Sequence, residues 1–196
     1  MLEKNQFNIP SISEKKEDSM EKLNVETRIA VPEEWEKLRD FRLNLLDDES
    51  GNSYVANSRQ VREIKQRTDE QWKDILFGKD KFSVLALKDS EVVGMGRTEK
   101  KKGIWHLYNL GVKNEFRRAR IGAKLTAIRL NEIKMRGGKE VHTFISKRNV
   151  PSLKNAESFG FKRVKTLLGW LKNLMILDDV NNPITTKRIE EILNER

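Results

Sequence analysis

The stretch Leu110-Gly111-Val112-Lys113-Asn114-Glu115-Phe116-Arg117-Arg118-Ala119-Arg120-Ile121-Gly122-Ala123 reads as the end of an apolar strand, a basic loop and the start of a helix. A helix start leaves backbone N–H groups without internal partners, and arginines beside them make an anion site. Gly122 lets the backbone approach a ligand that a Cβ would hold off. The spacing is neither the G-x-x-x-x-G-K-[ST] of a Walker loop nor the G-x-G-x-x-G of a dinucleotide fold. Charge gathers around the same stretch. Between Arg97 and Lys139 there are 13 Lys and Arg against three Glu, which covers the whole formal excess of +9. A solvated basic face and a site for a polyanionic ligand are the two readings of that surplus.

On the N-terminal side of this stretch, Asn24 to Val31 is an expected strand, and Pro32-Glu33-Glu34 opens a helix with acids in its first turn. Trp35, Leu38, Phe41, Leu45 and Leu46 give that helix one apolar stripe. A loop follows at 47–52, then a helix over 57–77. Phe82 to Leu87 and Glu91 to Thr98 form an expected hairpin across Lys88-Asp89-Ser90, with Ile104 to Val112 as the next strand. On the C-terminal side, Arg120 to Arg136 is helical and stops at Gly137-Gly138. A strand at 140–146, a short helix capped by Asn149 and ending at Gly160, and strands at 161–168 and 171–177 come next. A helix over 186–194 is the last element. A strand–helix–strand crossover inside an otherwise antiparallel run implies a mixed sheet covered by helices, an α+β fold of about seven strands. Residues 1–23 read as a flexible lead-in, 24–178 as the domain and 179–196 as a C-terminal helical segment.

Composition narrows the function. The 196 residues contain no Cys, which excludes disulfides, thiolate metal sites and Cys nucleophiles, and the two His argue against a multi-His metal site. No apolar run approaches the roughly 18 residues of a membrane span, and Met1 to Leu23 lacks the apolar segment of a secretory signal. A cytoplasmic, metal-free protein is the expectation.

The loop resembles that of the GNAT superfamily of acetyl-CoA-dependent N-acetyltransferases, whose pyrophosphate motif is [QR]-x-x-G-x-[GA]. Here it reads Arg117-x-x-Arg120-x-Gly122, directly after a Leu-x-Val strand end. The resemblance extends to Asn149-x-x-Ser152, to Gly160-Phe161, to Val93-Gly94 on the third strand and to Arg42-Leu43 of the first helix, covering about residues 24–178. It implies a mixed, mostly antiparallel GNAT-like sheet and acetyl-CoA as cosubstrate. It also implies that the strand at 104–112 bulges near its end and splays from the one at 140–146, with the acetyl-pantetheine arm in the gap. By the same resemblance Arg117, Arg118, Ala119, Arg120, Ile121, Gly122 and Ala123 hold the pyrophosphate. Leu110, Gly111 and Val112 meet the arm, Val112 N–H serves the oxyanion, and Asn149 and Ser152 line the arm or its adenine end. One departure is plain: the first Gly of the family loop is Arg120, which relaxes the backbone approach or lays a guanidinium along the pyrophosphate.

His106-Leu107-Tyr108 resembles the His-x-His strand of serotonin N-acetyltransferases, with Tyr in the second His position. His106 is therefore the candidate base for the acceptor ammonium, and Tyr108 either relays a proton through water or packs. The family's usual general acid is a Tyr at the position of Ala156. The acids Asp47, Asp48 and Glu49 at the edge of the expected acceptor pocket point to a cationic amine, or else are a solvated loop. Two other functions compete with amine acetylation. A GNAT-fold domain could bind coenzyme A without turnover, as the missing Tyr allows. A basic nucleic-acid module would interleave aromatics with its cations, yet Phe116 is the single aromatic in 113–139.

Overall fold

The computed structural model describes residues 24–47, 58–164 and 172–195. The expected lead-in at 1–23, the loop residues 48–52 and the far end of the 161–168 strand lie outside the described residues. Seven strands form one sheet: β1 (Glu26–Ile29), β2 (Lys81–Lys88), β3 (Glu91–Lys101), β4 (Ile104–Val112), β5 (Val141–Ser146), β6 (Lys162–Val164) and β7 (Lys172–Leu177). Their spatial order is β1-β2-β3-β4-β5-β7-β6. Every neighbouring pair is antiparallel except β4 and β5. The helices are α1 (Trp35–Asp47), α2 (Ser58–Lys65), α3 (Asp69–Leu76), α4 (Ile121–Met135), α5 (Val150–Ser158) and α6 (Pro183–Asn194). The mixed α+β sheet and its crossover helix are as the sequence implies.

Local chemistry accounts for the turns. Asp89 and Ser90 both take positive φ, 49° and 68°, so the β2–β3 hairpin closes in the two-residue turn that matches strand twist. Helix α4 ends in a left-handed cap. Gly137 takes φ 69°, its N–H donates to Lys134 O at 3.0 Å, and Gly138 N–H donates to Ile133 O at 2.8 Å. The expected single helix over 57–77 is two helices. Thr68 Oγ1 accepts from Gln71 N–H while Gln71 Oε1 accepts from Thr68 N–H, a reciprocal cap that starts α3 afresh. Likewise α6 begins at Pro183, because Asn182 Oδ1 caps Thr185 N–H and Pro is tolerated in the first turn.

The sheet is apolar on both faces. Trp105, Leu107, Leu125, Leu130, Ile133, Val141, Phe159 and Met175 join α4, α5 and α6 on one side. Val180, Ile189 and Ile192 belong to this same core, so the C-terminal helix packs into the domain. Trp35, Leu38, Phe41, Trp72, Leu76, Leu85 and Met95 seat α1 and α3 on the other side. Strand β2 is buried along almost its whole length, Val84 facing one core and Leu85 the other. Strands β4 and β5 part beyond their first three pairs. No helix among the described residues is long and apolar enough to cross a membrane.

Candidate active site

Strands β4 and β5 share three ladder pairs, Trp105–Val141, His106–His142 and Leu107–Thr143, and then diverge. Thr143 Oγ1 donates to Leu107 O at 3.1 Å, closing the ladder at the point of the fork. The cause of the divergence is a bulge. Between Met95 and Arg97 the β3–β4 register slips by one, and opposite it Asn109 takes φ 51°, a conformation Asn tolerates better than most residues. Gly96 faces the bulge. A Cβ there would lie 3.1 Å from the guanidinium of Arg129, so glycine is what lets that side chain cross the strand. Arg129 is fully buried on α4 and donates to Tyr108 O at 3.4 Å, to Leu125 O and to Thr126 Oγ1. Thr126 Oγ1 donates to Gly122 O and accepts from Asn155 Nδ2 at 3.0 Å, which ties α4 to α5 beneath the fork.

The fork opens a cleft of about 580 Å³ that reaches both faces of the sheet. Its walls are Leu107 to Leu110 of β4 and Thr143 to Ser146 of β5. Asn149, Ser152, Asn155 and Ala156 line it from α5 and the residue before that helix, Thr126 and Arg129 from α4. On the opposite face Arg42, Gln60, Glu63, Ile64 and Arg67 complete the lining. Lys113 N–H donates to Val93 O at 2.9 Å. Donors alternate direction along an antiparallel strand, so Val112 N–H points away from β3, toward the fork.

The basic loop meets the head of α4. Arg118 and Arg120 take φ 71° and 58°, left-handed conformations that glycine adopts most readily. The side chain turns elsewhere: Arg120 Nη1 pairs with Glu195 at 2.6 Å. Arg117 and Arg118 are exposed, and Ala119, Gly122 and Ala123 are half-buried. At Gly122 a Cβ would meet nothing closer than Leu110 Cδ2 at 4.0 Å, so packing does not demand glycine and its absence of a side chain leaves open space. Ile121 is buried under this turn and Gly111 within β4. Asn149 Oδ1 accepts from Ser152 N–H at 3.2 Å, so both residues start α5 at the wall of the cleft.

Of the two candidate catalytic residues, Tyr108 lines the cleft and His106 does not. His106 lies one step back in the paired part of the fork. Its ring stacks on Tyr108 with centroids 5.8 Å apart and meets His142 edge-on at 5.4 Å. His142 in turn contacts Glu140 at 2.5 Å. Burial, then His142 and Lys101, lower the His106 pKa, against weaker pulls from Glu99 and Glu140, so its imidazole is the neutral, proton-accepting form at pH 7. Arg97 lies 4.7 Å over the Tyr108 ring and pairs with Glu99 at 2.8 Å. Asp47 is paired with Lys65 at 2.5 Å, and Asp48 and Glu49 are outside the described residues.

Sequence reasoning passed over Arg129, Thr126 and Asn155. The signal for Arg129 was its place in the α4 stripe: Leu125, Arg129 and Ile133 are four apart, so a charge stood at a core position. Thr126 and Asn155 join through a helix-to-helix contact that no local spacing announces.

The family model for the acetyltransferase (GNAT) domain matches residues 48–167. No curated protein matches the chain. Among solved structures, PaiA N-acetyltransferase from Thermoplasma acidophilum in complex with coenzyme A has a TM-score of 0.64 at 18% identity, covering 79% of this chain and 98% of that one. A GNAT-family acetyltransferase from Streptococcus pneumoniae gives 0.62 at 14%, with 78% and 97% covered. The ribosomal-protein-S18-alanine N-acetyltransferase from Escherichia coli gives 0.57 at 12%, with 78% and 92% covered. These likenesses speak for the fold, a seven-stranded sheet forked at β4 and β5, while the family match spans more than half of the sequence; the chain belongs to the GNAT acetyltransferase family and is an acyltransferase.

Proposed function

We propose that this acyltransferase is an N-acetyltransferase that moves the acetyl group of acetyl-CoA to a primary amine by direct attack in a ternary complex. The observation that carries this reading is the fork itself. A bulged β4 parts from β5 over a cleft that reaches both faces of the sheet, and Val112 N–H, just beyond the lining, turns away from β3, so two substrates can meet there from opposite sides. The residues fit acetyl-CoA. Arg117, Arg118, Ala119, Arg120, Ile121, Gly122 and Ala123 surround a helix start with open space at Gly122, suited to a pyrophosphate. Leu110 lines the cleft, Gly111 and Val112 continue its strand, and this backbone suits an extended pantetheine arm, with Asn149 and Ser152 bordering the cleft at α5.

Bound acetyl-CoA would supply an activated acyl group as a thioester. The chain has two tasks there. It must take a proton from the acceptor ammonium, and it must stabilise the negative charge that develops on the carbonyl oxygen. Val112 N–H is suited to the second. For the first, neutral His106 with Tyr108 stacked between it and the cleft forms a short route, a water or the phenol passing the proton to the imidazole. Ala156 stands where the family's acidic Tyr would be, so the coenzyme thiolate departs without that side chain.

A screen of acetyl-CoA against amines, amino-acid esters, aminoglycosides and peptides tests the reading by the release of free thiol. Saturable, amine-dependent release is the expected result. Acetyl-CoA binding with no release above background for any amine would favour a coenzyme-binding protein without turnover.

A further inference from the structure

Among the described residues the cleft carries three arginines, Arg42, Arg67 and Arg129, and one acid, Glu63. Arg129 is spent on the bulge, donating to Tyr108 O, Leu125 O and Thr126 Oγ1. Arg42 and Arg67 stand at the other end, on the α1 and α2 side of the sheet. Arg42 is 5% exposed and shares the inner face of α1 with Leu38 and Leu45. The Arg67 guanidinium lies 5.4 Å over the Trp72 ring, with no carboxylate among the described residues within 4.0 Å. Among the described acids, Glu63 pairs with Arg59 at 2.8 Å, Asp47 with Lys65 at 2.5 Å, Glu99 with Arg97 at 2.8 Å and Asp74 with Lys81 at 3.1 Å, while Glu70 lines a neighbouring hollow with Arg67 and lies beyond ion-pair distance of it. Burial and the neighbouring Arg97 lower the pKa of Arg67, only partly offset by Glu63, so an incoming negative charge is favoured there.

The proposed cosubstrate does not use these cations. A pantetheine arm is uncharged, and the coenzyme's phosphates are assigned above to the loop at the head of α4. We therefore propose, resting on the acetyl-transfer reading, that the acceptor is an amine carrying an oxyanion, which Arg42 and Arg67 bind at the α1/α2 end of the cleft. The anion fixes the acceptor's orientation and its amine turns toward the fork. Arginine suits this task because its planar fork of donors matches a carboxylate, phosphate or sulfonate. The sign is opposite to that suggested by the acidic run at Asp47, of which Asp47 is already neutralised.

The test compares acceptors that share an amine and differ in charge. Free amino acids are set against their own amides, with phosphoethanolamine and taurine as the phosphate and sulfonate arms and spermidine as the cation. Thiol release gives kcat/KM for each. Anion-bearing acceptors are expected to exceed their neutral partners by about tenfold or more, and the best arm names the oxyanion. In Arg67→Gln the KM for that acceptor should rise about tenfold with kcat within about twofold, the KM of the amide should stay put, and Arg67→Lys should recover part of the loss. Arg42→Gln should act in the same way, its fold checked by an unchanged rise in melting temperature with acetyl-CoA. Amides or spermidine turned over as well as the acids would overturn the anionic acceptor and leave acetyl transfer standing. So would an equal KM rise for acid and amide in Arg67→Gln. Absence of thiol release with every amine, in protein that acetyl-CoA still stabilises, would instead sink the transferase reading together with this one.

Discussion

His106 faces His142, Tyr108, Lys101, Glu99 and Glu140, and the balance of these with its burial holds its pKa below the usual 6.5. As pH falls through that lowered value the imidazole takes a proton and can accept no other. The rate should therefore rise with pH along an acidic limb lying below pH 6.5, and sit on a plateau at pH 7. His106→Ala should lower kcat by ~10² or more and lose that limb, with acetyl-CoA affinity nearly unchanged. Full activity in this variant would hand the proton to Tyr108 or a water chain. His106 and Tyr108 are singled out by resemblance to the His-x-His strand of serotonin N-acetyltransferases, two positions of one strand parity. That resemblance does not reveal that Tyr108 reaches the cleft and His106 stands behind it, because that depends on where β5 leaves β4. Arg120 is a similar case. Its left-handed φ of 58° has no signal in an arginine, and its pairing with Glu195 joins residues 75 positions apart and has no local signature.

Elements were legible where the side-chain pattern or a terminal residue was local. Strand β4, helix α4 and the Asn149 cap came directly from periodicity and stop signals. The break between α2 and α3 does not show in the apolar run through Trp72, Ile75 and Leu76; the reciprocal Thr68 and Gln71 cap sets it. The fork was reached through family resemblance. Its physical origin, the Gly96 and Arg129 crossing opposite Asn109, is tertiary. The end of α4 offers a clean test of element packing. A Cβ on Gly138 would fall 2.4 Å from Ile133 Cγ2 and 2.6 Å from Trp105 Nε1. Gly138→Ala should cost about 1–3 kcal/mol through overpacking, with Tm falling roughly 2–4 °C for each kcal/mol. A melting temperature equal to wild type would show that the α4 cap and Trp105 have slack between them.

For the whole molecule, two cores pack on opposite faces of one sheet, and the cleft assigned to substrates opens where β4 and β5 part. Ligand binding there should stabilise the entire fold. Acetyl-CoA at 100 times its dissociation constant adds ~2.7 kcal/mol, read as a rise in Tm, whereas an oligonucleotide of similar charge should add far less. The most direct test of the account is a calorimetric titration of acetyl-CoA into the wild-type protein and into Gly122→Val. The account predicts saturable 1:1 binding to the wild type and markedly weaker binding to the folded variant, because a branched side chain would fill the open space at the head of α4. Equal affinity in the two proteins, or no heat from the wild type with millimolar acetyl-CoA beside clear binding of the oligonucleotide, would contradict it.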